Sequence, residues 1–333
     1  MAESIIAVTV AEVDPQTAPP QVEGPRTLRE IISTQLQSLS VYHRAVLETG
    51  DVEAVHKMRV TTRRLQAALD LLQSRPDDRQ VIKLKKRLRK WRRWLSDIRN
   101  YDVFLIRIEN DAALNKPTNQ EMRDLLKSEL TARRADTVAR LRPRLESIAI
   151  DEIAAALGLN QEAVEEGMAH KPGSLSIHLH DERRIALRAA ERLEQRLVEF
   201  QAMASLALPQ ADPVELHHLR ISAKRLRYLL EILAEMGYGN ATPALNWLRK
   251  LQDKIGEWHD LVAQEEEVIR IVSRPEFLKN YLKRSSKILS SAAHMRKKRN
   301  KMAGKIFPLK VPKSLTATAR RFTRTLRRRA ISD

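Results

Sequence analysis

Ten residues of this chain are written twice. His56-Lys57-Met58-Arg59-Val60-Thr61-Thr62-Arg63-Arg64-Leu65 returns as His217-His218-Leu219-Arg220-Ile221-Ser222-Ala223-Lys224-Arg225-Leu226, and both copies read H-x-x-R-(aliphatic)-x-x-(K/R)-R-L. Wound into a helix at about 100° per residue, each copy sets its His and two cations on one face and Leu or Met on the opposite face. The chemistry open to such a face is anion binding: Arg offers a planar fork to phosphate, Lys a mobile point charge, and His a ring N–H. Cations stacked about 5 to 6 Å apart repel by something between about 0.7 and 3 kcal/mol per pair, depending on how far water screens them. A polyanion relieves that repulsion, and few acidic residues interrupt either stripe.

Other residues extend the two stripes or drop out. Arg227 continues the second stripe where the first has Gln66, and Arg64 and Arg225 flank the cationic face. Further on, Leu88-Arg89-Lys90-Trp91 aligns with Leu248-Arg249-Lys250-Leu251, which adds Arg89, Lys90, Arg249 and Lys250 to the candidates. The remaining cations between Lys83 and Arg99 surround an apolar stripe on both sides and read as a solvated face. His56 and His217 have no Cys, His or carboxylate at a spacing matched in both copies, so they are expected to contact anions rather than a metal. His259-Asp260 resembles the dipeptide of metal-dependent phosphohydrolases, but the matching positions in the first half are Arg99-Asn100, and no further ligands are identifiable. No G-x-x-x-x-G-K-(S/T) loop, G-x-S-x-G elbow or G-x-G-x-x-G fingerprint occurs, so neither catalytic residues nor a cofactor are expected, and the chain reads as a non-enzyme.

Composition and periodicity predict the elements that must carry these faces. Of 333 residues, 60 are Lys or Arg and 42 Asp or Glu, a net charge of +18 that suits a phosphate-rich partner. Zero Cys excludes disulfides and thiolate metal sites, and nine Gly in a chain rich in Leu, Ala, Arg and Glu point to an all-α protein. No apolar run reaches the roughly 20 residues of a membrane span and no signal peptide is evident, so a soluble, cytoplasmic protein is expected. Spacing and breakers predict helices over about 27–48, 52–73, 78–110 and 119–147, and again over about 181–203, 213–236, 242–273 and 275–301. The motif copies lie at an offset of 161 (56 to 217) and the third helices at 160 (89 to 249), which reads as an internal duplication. The expected layout is a flexible tail over 1–25, a first four-helix bundle over 26–150, a connector over 151–180, a second bundle over 181–307 and a basic tail over 308–333.

With its duplicated motif and helix order, the chain resembles the CHAD family, named for its histidine-bearing α-helical domain, over about residues 26 to 307. The resemblance implies two pseudo-symmetric antiparallel four-helix bundles around a basic central cavity, and binding of long-chain inorganic polyphosphate. It also implies that His56, Arg59, Arg63 and Arg64 line that cavity with His217, Arg220, Lys224 and Arg225. Gln66 opposite Arg227 and Ser96 opposite Gly256 depart from strict duplication. Residues 1 to 25 are too short for the triphosphate-tunnel domain that many members carry. The expected function is therefore non-enzymatic polyphosphate binding, with residence on polyphosphate granules. The alternative is sequence-nonspecific nucleic-acid binding, confined to the backbone for duplexes and weakened for single strands because Trp91 and Trp258 fall on core stripes. A third reading gives Lys310 to Arg329 its own role at a membrane surface or a partner, through an apolar face of Leu315, Ala319, Phe322 and Leu326.

Overall fold

The chain's structure, a computed structural model, describes residues 24–73, 78–110, 119–159, 181–206, 213–306 and 309–331. Ten α-helices run through them, with no strand among the described residues: α1 (Leu28–Thr49), α2 (Val52–Leu72), α3 (Arg79–Asn110), α4 (Gln120–Glu146), α5 (Asp151–Ala156), α6 (Glu182–Leu206), α7 (Pro213–Glu235), α8 (Thr242–Val272), α9 (Pro275–Ile306) and α10 (Lys313–Ile331). The fold is all-α, and α1 to α4 recur in order as α6 to α9. Most of the predicted tail (1–23) and most of the connector (160–180) lie outside the described residues, as do the breakers Arg75-Pro76 and Asn115-Lys116-Pro117.

Local chemistry fixes where the motif helix begins. Thr27 and Glu30 form a capping box on α1, Thr27 Oγ1 accepting from the Glu30 amide at 3.2 Å and the Glu30 carboxylate accepting from the Thr27 amide at 2.7 Å. Those hydrogen bonds hold the Glu30 carboxyl below its ordinary pKa. Gly50 ends α1 with φ of 63°, a left-handed turn that a side chain would strain, and Asp51 then caps α2 by accepting from the Ala54 amide at 2.5 Å. Arg134 of α4 ties this corner down, donating to the Gly50 carbonyl at 2.7 Å and to buried Asp102 of α3 at 2.5 Å.

Burial does not divide the core between the halves. The larger apolar cluster joins Leu65, Leu69 and Leu72 of α2 and Leu88 and Leu95 of α3 to Leu193 of α6, Leu226 and Leu230 of α7 and Leu248 of α8. A second cluster joins the far ends of the long helices, Phe104 and Ile108 of α3 and Leu126 of α4 with Val268 of α8 and Ile288 of α9. Ion pairs cross the halves beside it, Arg133–Glu267 at 2.6 Å and Arg274–Glu129 at 2.5 Å. The halves are thus fastened twice, once along α2 and α7 and once at the distal ends.

The C-terminal segment is part of this body. Residues 313–331 form α10, which lies along α6 with Leu315, Ala319, Phe322 and Leu326 buried. The apolar face read as a membrane or partner surface is therefore already covered, and Arg327–Glu194 and Arg329–Glu182 pin its rim at 2.8 and 2.9 Å. Phe322 is fully buried, so Phe322→Ala should cost about 3 to 5 kcal/mol, measured by urea unfolding.

Candidate polyanion site

The two motif helices face each other across the interface between the halves, and α3 and α8 flank them. Capping starts α2 at Val52, so its core stripe of Met58, Leu65, Ala68 and Leu72 turns inward and its cationic stripe borders the equivalent stripe of α7. His56, Arg59 and Arg63 from α2 converge with Arg220, Lys224 and Arg227 from α7 and with Arg92 and Arg99 from α3.

Arg63 is the centre of this field. Its charge acts on His56, Arg59, Arg92, Arg220 and Lys224, from three helices and both halves, and among the described residues it forms no ion pair. Burial does most to push the protonated form of each of these groups down, and Arg63 adds to the shift in all of them. His56 is held at about 4, by burial first and then by Arg99, Arg63, Arg59 and Lys57. Arg59 falls to about 9 and Arg92 to about 10, again mainly through desolvation, while Lys224 drops well below the ordinary lysine value. His217 is also lowered, by burial and by His259, whose ring centroid lies 5.6 Å away. Asp260 opposes the shift on Arg220, whereas on Arg99 Asp102 opposes it most, followed by Glu53 and Asp260.

Equivalent positions in the two halves are wired differently. Arg59 donates to the Ser96 hydroxyl and to the Arg92 carbonyl at 3.3 Å, which fixes its fork. The counterpart Arg220 lies over Gly256, where a Cβ would come within 3.4 Å of its Nη2, and its buried Nε has no hydrogen-bond partner among the described residues. Gln66 and Arg92 in the first half are hydrogen bonded at 2.9 Å, and their counterparts are Arg227 and Gln252, the same two residue types with the helices exchanged. The cation at this level sits on α3 in one half and on α7 in the other. Arg92→Gln should accordingly weaken polyanion binding roughly tenfold, and adding Gln66→Arg should restore most of it in a filter-binding titration.

The other sequence-predicted residues are placed as follows. Arg64 pairs with Glu235 at the end of α7, bridging the halves, whereas Arg225 is exposed and pairs with Glu199 of α6 at 2.6 Å. Arg227 stacks on the Tyr228 ring at 4.6 Å and pairs with Glu231 at 3.5 Å. Arg249 is exposed and bonded to the same Glu231 at 3.3 Å, Lys90 lies 5.2 Å over the Trp94 ring, and Arg89 and Lys250 are exposed. Arg92, Arg99 and His259 belong to the cluster although the sequence reading gave them no role. The usable signal was the Gln66/Arg227 departure itself, which asks where the first half keeps its missing cation. Among the described residues no group of three or more His, Asp or Glu could hold a metal ion, and no helix is long and apolar enough to cross a membrane.

Two solved structures share this architecture. The CHAD domain from the plant Ricinus communis superimposes with a TM-score of 0.53 at 21% identity, covering 88% of this chain and 96% of its own. PptA from Streptomyces chartreusis does so with a TM-score of 0.53 at 15% identity, covering 84% of this chain and 96% of its own. No curated protein matches the sequence. The model of the CHAD domain family matches residues 30–268, from α1 through most of α8, and with it every cation of the cluster: the chain belongs to the CHAD domain family.

Proposed function

We propose that the protein binds long-chain inorganic polyphosphate, without catalysing a reaction on it, and that this binding holds it on polyphosphate granules. One observation carries the reading: cations from α2, α3 and α7 converge around Arg63, and Arg63 and Lys224 form no ion pair among the described residues. Such a cluster is destabilising by itself, and a flexible chain of closely spaced phosphates supplies the countercharge and the acceptors its forks lack. Membership in the CHAD domain family, associated with polyphosphate-related binding, supports the same ligand class.

The test compares long-chain polyphosphate, duplex DNA and tRNA at equal phosphate concentration and about 150 mM salt, where backbone-only nucleic-acid contacts weaken. Wild type should prefer polyphosphate, and Arg59→Ala/Arg63→Ala/Arg220→Ala/Lys224→Ala should abolish that preference. Equal binding of all three polymers, or a quadruple variant that binds like wild type, would overturn the proposal.

A further inference from the structure

The net charge of this protein does not lie where its motif lies. Residues 277–332 hold 18 of the 60 Lys and Arg and none of the 42 Asp and Glu, so the whole excess of +18 is theirs, and the rest of the chain, both motif copies included, is balanced. That segment begins inside α9, beyond residue 268 where the family match ends. α9 packs chiefly on α8 and needs one stripe to do so, in which Ser285, Ile288, Ala292 and Met295 are buried. Past the kink at Tyr281, the opposite face carries Lys283, Lys287, Ser290, His294, Lys297 and Lys301 at alternating steps of four and three residues, a straight row about 27 Å long, and all six are exposed. The four lysines form no ion pair among the described residues. The arginines of α9, by contrast, are all committed, Arg284 to Glu121 at 3.1 Å and Arg296 and Arg299 to Glu265 at 2.6 and 3.0 Å. Beside the row stand Leu282 and Leu289, two turns apart and 69% and 44% exposed, on a helix whose core stripe is already filled.

We infer that the outer face of α9 docks on an anionic lipid bilayer. Unpaired lysines in a row, with no carboxylate in the segment to oppose them, are drawn to the phosphates of the headgroups. Lysine suits that partner: its ammonium is a mobile point charge on an apolar stem, and a fluid array of headgroups offers no fixed geometry for an arginine fork to match. The central cluster is built the other way, mostly from arginine. The leucines decide between a bilayer and a phosphate polymer. A bilayer gives Leu282 and Leu289 the boundary of its acyl chains to enter, whereas a phosphate chain leaves them in water. Two leucines reach only that boundary, so the docking is peripheral and reversible. This surface is separate from the α2, α3 and α7 cluster, and its assignment does not depend on what that cluster binds.

The experiment sediments the full chain with vesicles of phosphatidylcholine alone, or with about a third phosphatidylglycerol, at about 100 mM salt, where exposed charges still act over roughly 10 Å. The protein should pellet with the anionic vesicles and stay in solution with the neutral ones. Lys283→Gln/Lys287→Gln should weaken the binding at least about tenfold, and Leu282→Ser/Leu289→Ser about tenfold. All four side chains are exposed, so both variants should keep the wild-type thermal midpoint and polyphosphate affinity. Arg59→Ala/Arg63→Ala/Arg220→Ala/Lys224→Ala should pellet like wild type. A protein that ignores anionic vesicles overturns the inference and leaves polyphosphate binding standing. Loss of vesicle binding in the quadruple variant also overturns it, because the attraction would then belong to the central cluster. If the leucine pair has no effect and the lysine pair weakens duplex DNA and vesicles alike, the face is a general phosphate surface and the lipid assignment falls. Vesicle binding by a protein that does not bind polyphosphate upholds the inference and removes the ligand proposal alone.

Discussion

Arg63→Gln should make the ligand-free protein more stable while lowering its polyphosphate affinity by at least about tenfold. Arg63 imposes its charge on His56, Arg59, Arg92, Arg220 and Lys224, and no carboxylate among the described residues pairs with it. Each such contact in a partly screened setting costs about 0.5 to 2 kcal/mol, and water and salt discount the sum. A net gain of about 1 to 2 kcal/mol is expected, a rise in thermal midpoint of about 1 to 3 °C for a chain of this size. The gain should shrink as salt is raised, because the repulsion it removes is screened. Scanning calorimetry across a salt series, paired with polyphosphate titrations, reads both halves of the prediction. A variant that loses stability and affinity together would mean that Arg63 acts through packing rather than charge.

The second large effect is acid sensitivity that the ligand reverses. His56 titrates at about 4 in the folded chain and near its ordinary value of about 6.5 when unfolded. Between those values the unfolded chain binds the proton and the folded chain does not, so stability rises with pH across the window and is lost as pH falls from 6.5 to 4. With allowance for the part of the ring that water still reaches, His56 accounts for a loss of about 2 kcal/mol. A bound polyanion favours the imidazolium, so the protein should take up protons as polyphosphate binds, and binding should be tighter at pH 5 than at pH 7. Urea unfolding at pH 7, 5 and 4 should show the loss, its relief by polyphosphate, and its reduction by about 2 kcal/mol in His56→Gln. His217, lowered by burial and by His259, acts in the same sense. A binding constant unchanged over that pH range would remove both histidines from the titrating set.

The helices were legible because their signals are local. The capped start at Asp51, the breaks at Gly50 and the period of Leu84, Leu88, Trp91 and Leu95 all lie within a few residues of what they specify, and α2 and α7 were anticipated to within a residue at each end. The two motif stripes were legible for the same reason. What lay beyond reach depends on partners distant in the chain. Arg64 and Arg225 hold the same motif position, yet Glu235 and Glu199 tie them to different neighbours, and no periodicity announces that. Ranking cations by whether the opposite half repeated them favoured Arg89, Lys90, Arg249 and Lys250 and passed over Arg92 and Arg99, because the cluster conserves charge in space and not residue by residue. The docking of α10 was half visible: its apolar face was readable, but not that α6 would cover it.

A core that ignores the boundary between repeats bears on symmetry. One apolar cluster draws on Leu65 and Leu69 of the first half and on Leu226 and Leu230 of the second, the arrangement that a twofold dimer of half-length chains would have. In such a dimer every substitution appears twice, and exchanging Gln66 with Arg92 on one side only is impossible. A single polypeptide carries no such restriction. Ser96 against Gly256, Arg63 against Lys224, and the exchanged glutamine and arginine are differences that only a single chain can hold.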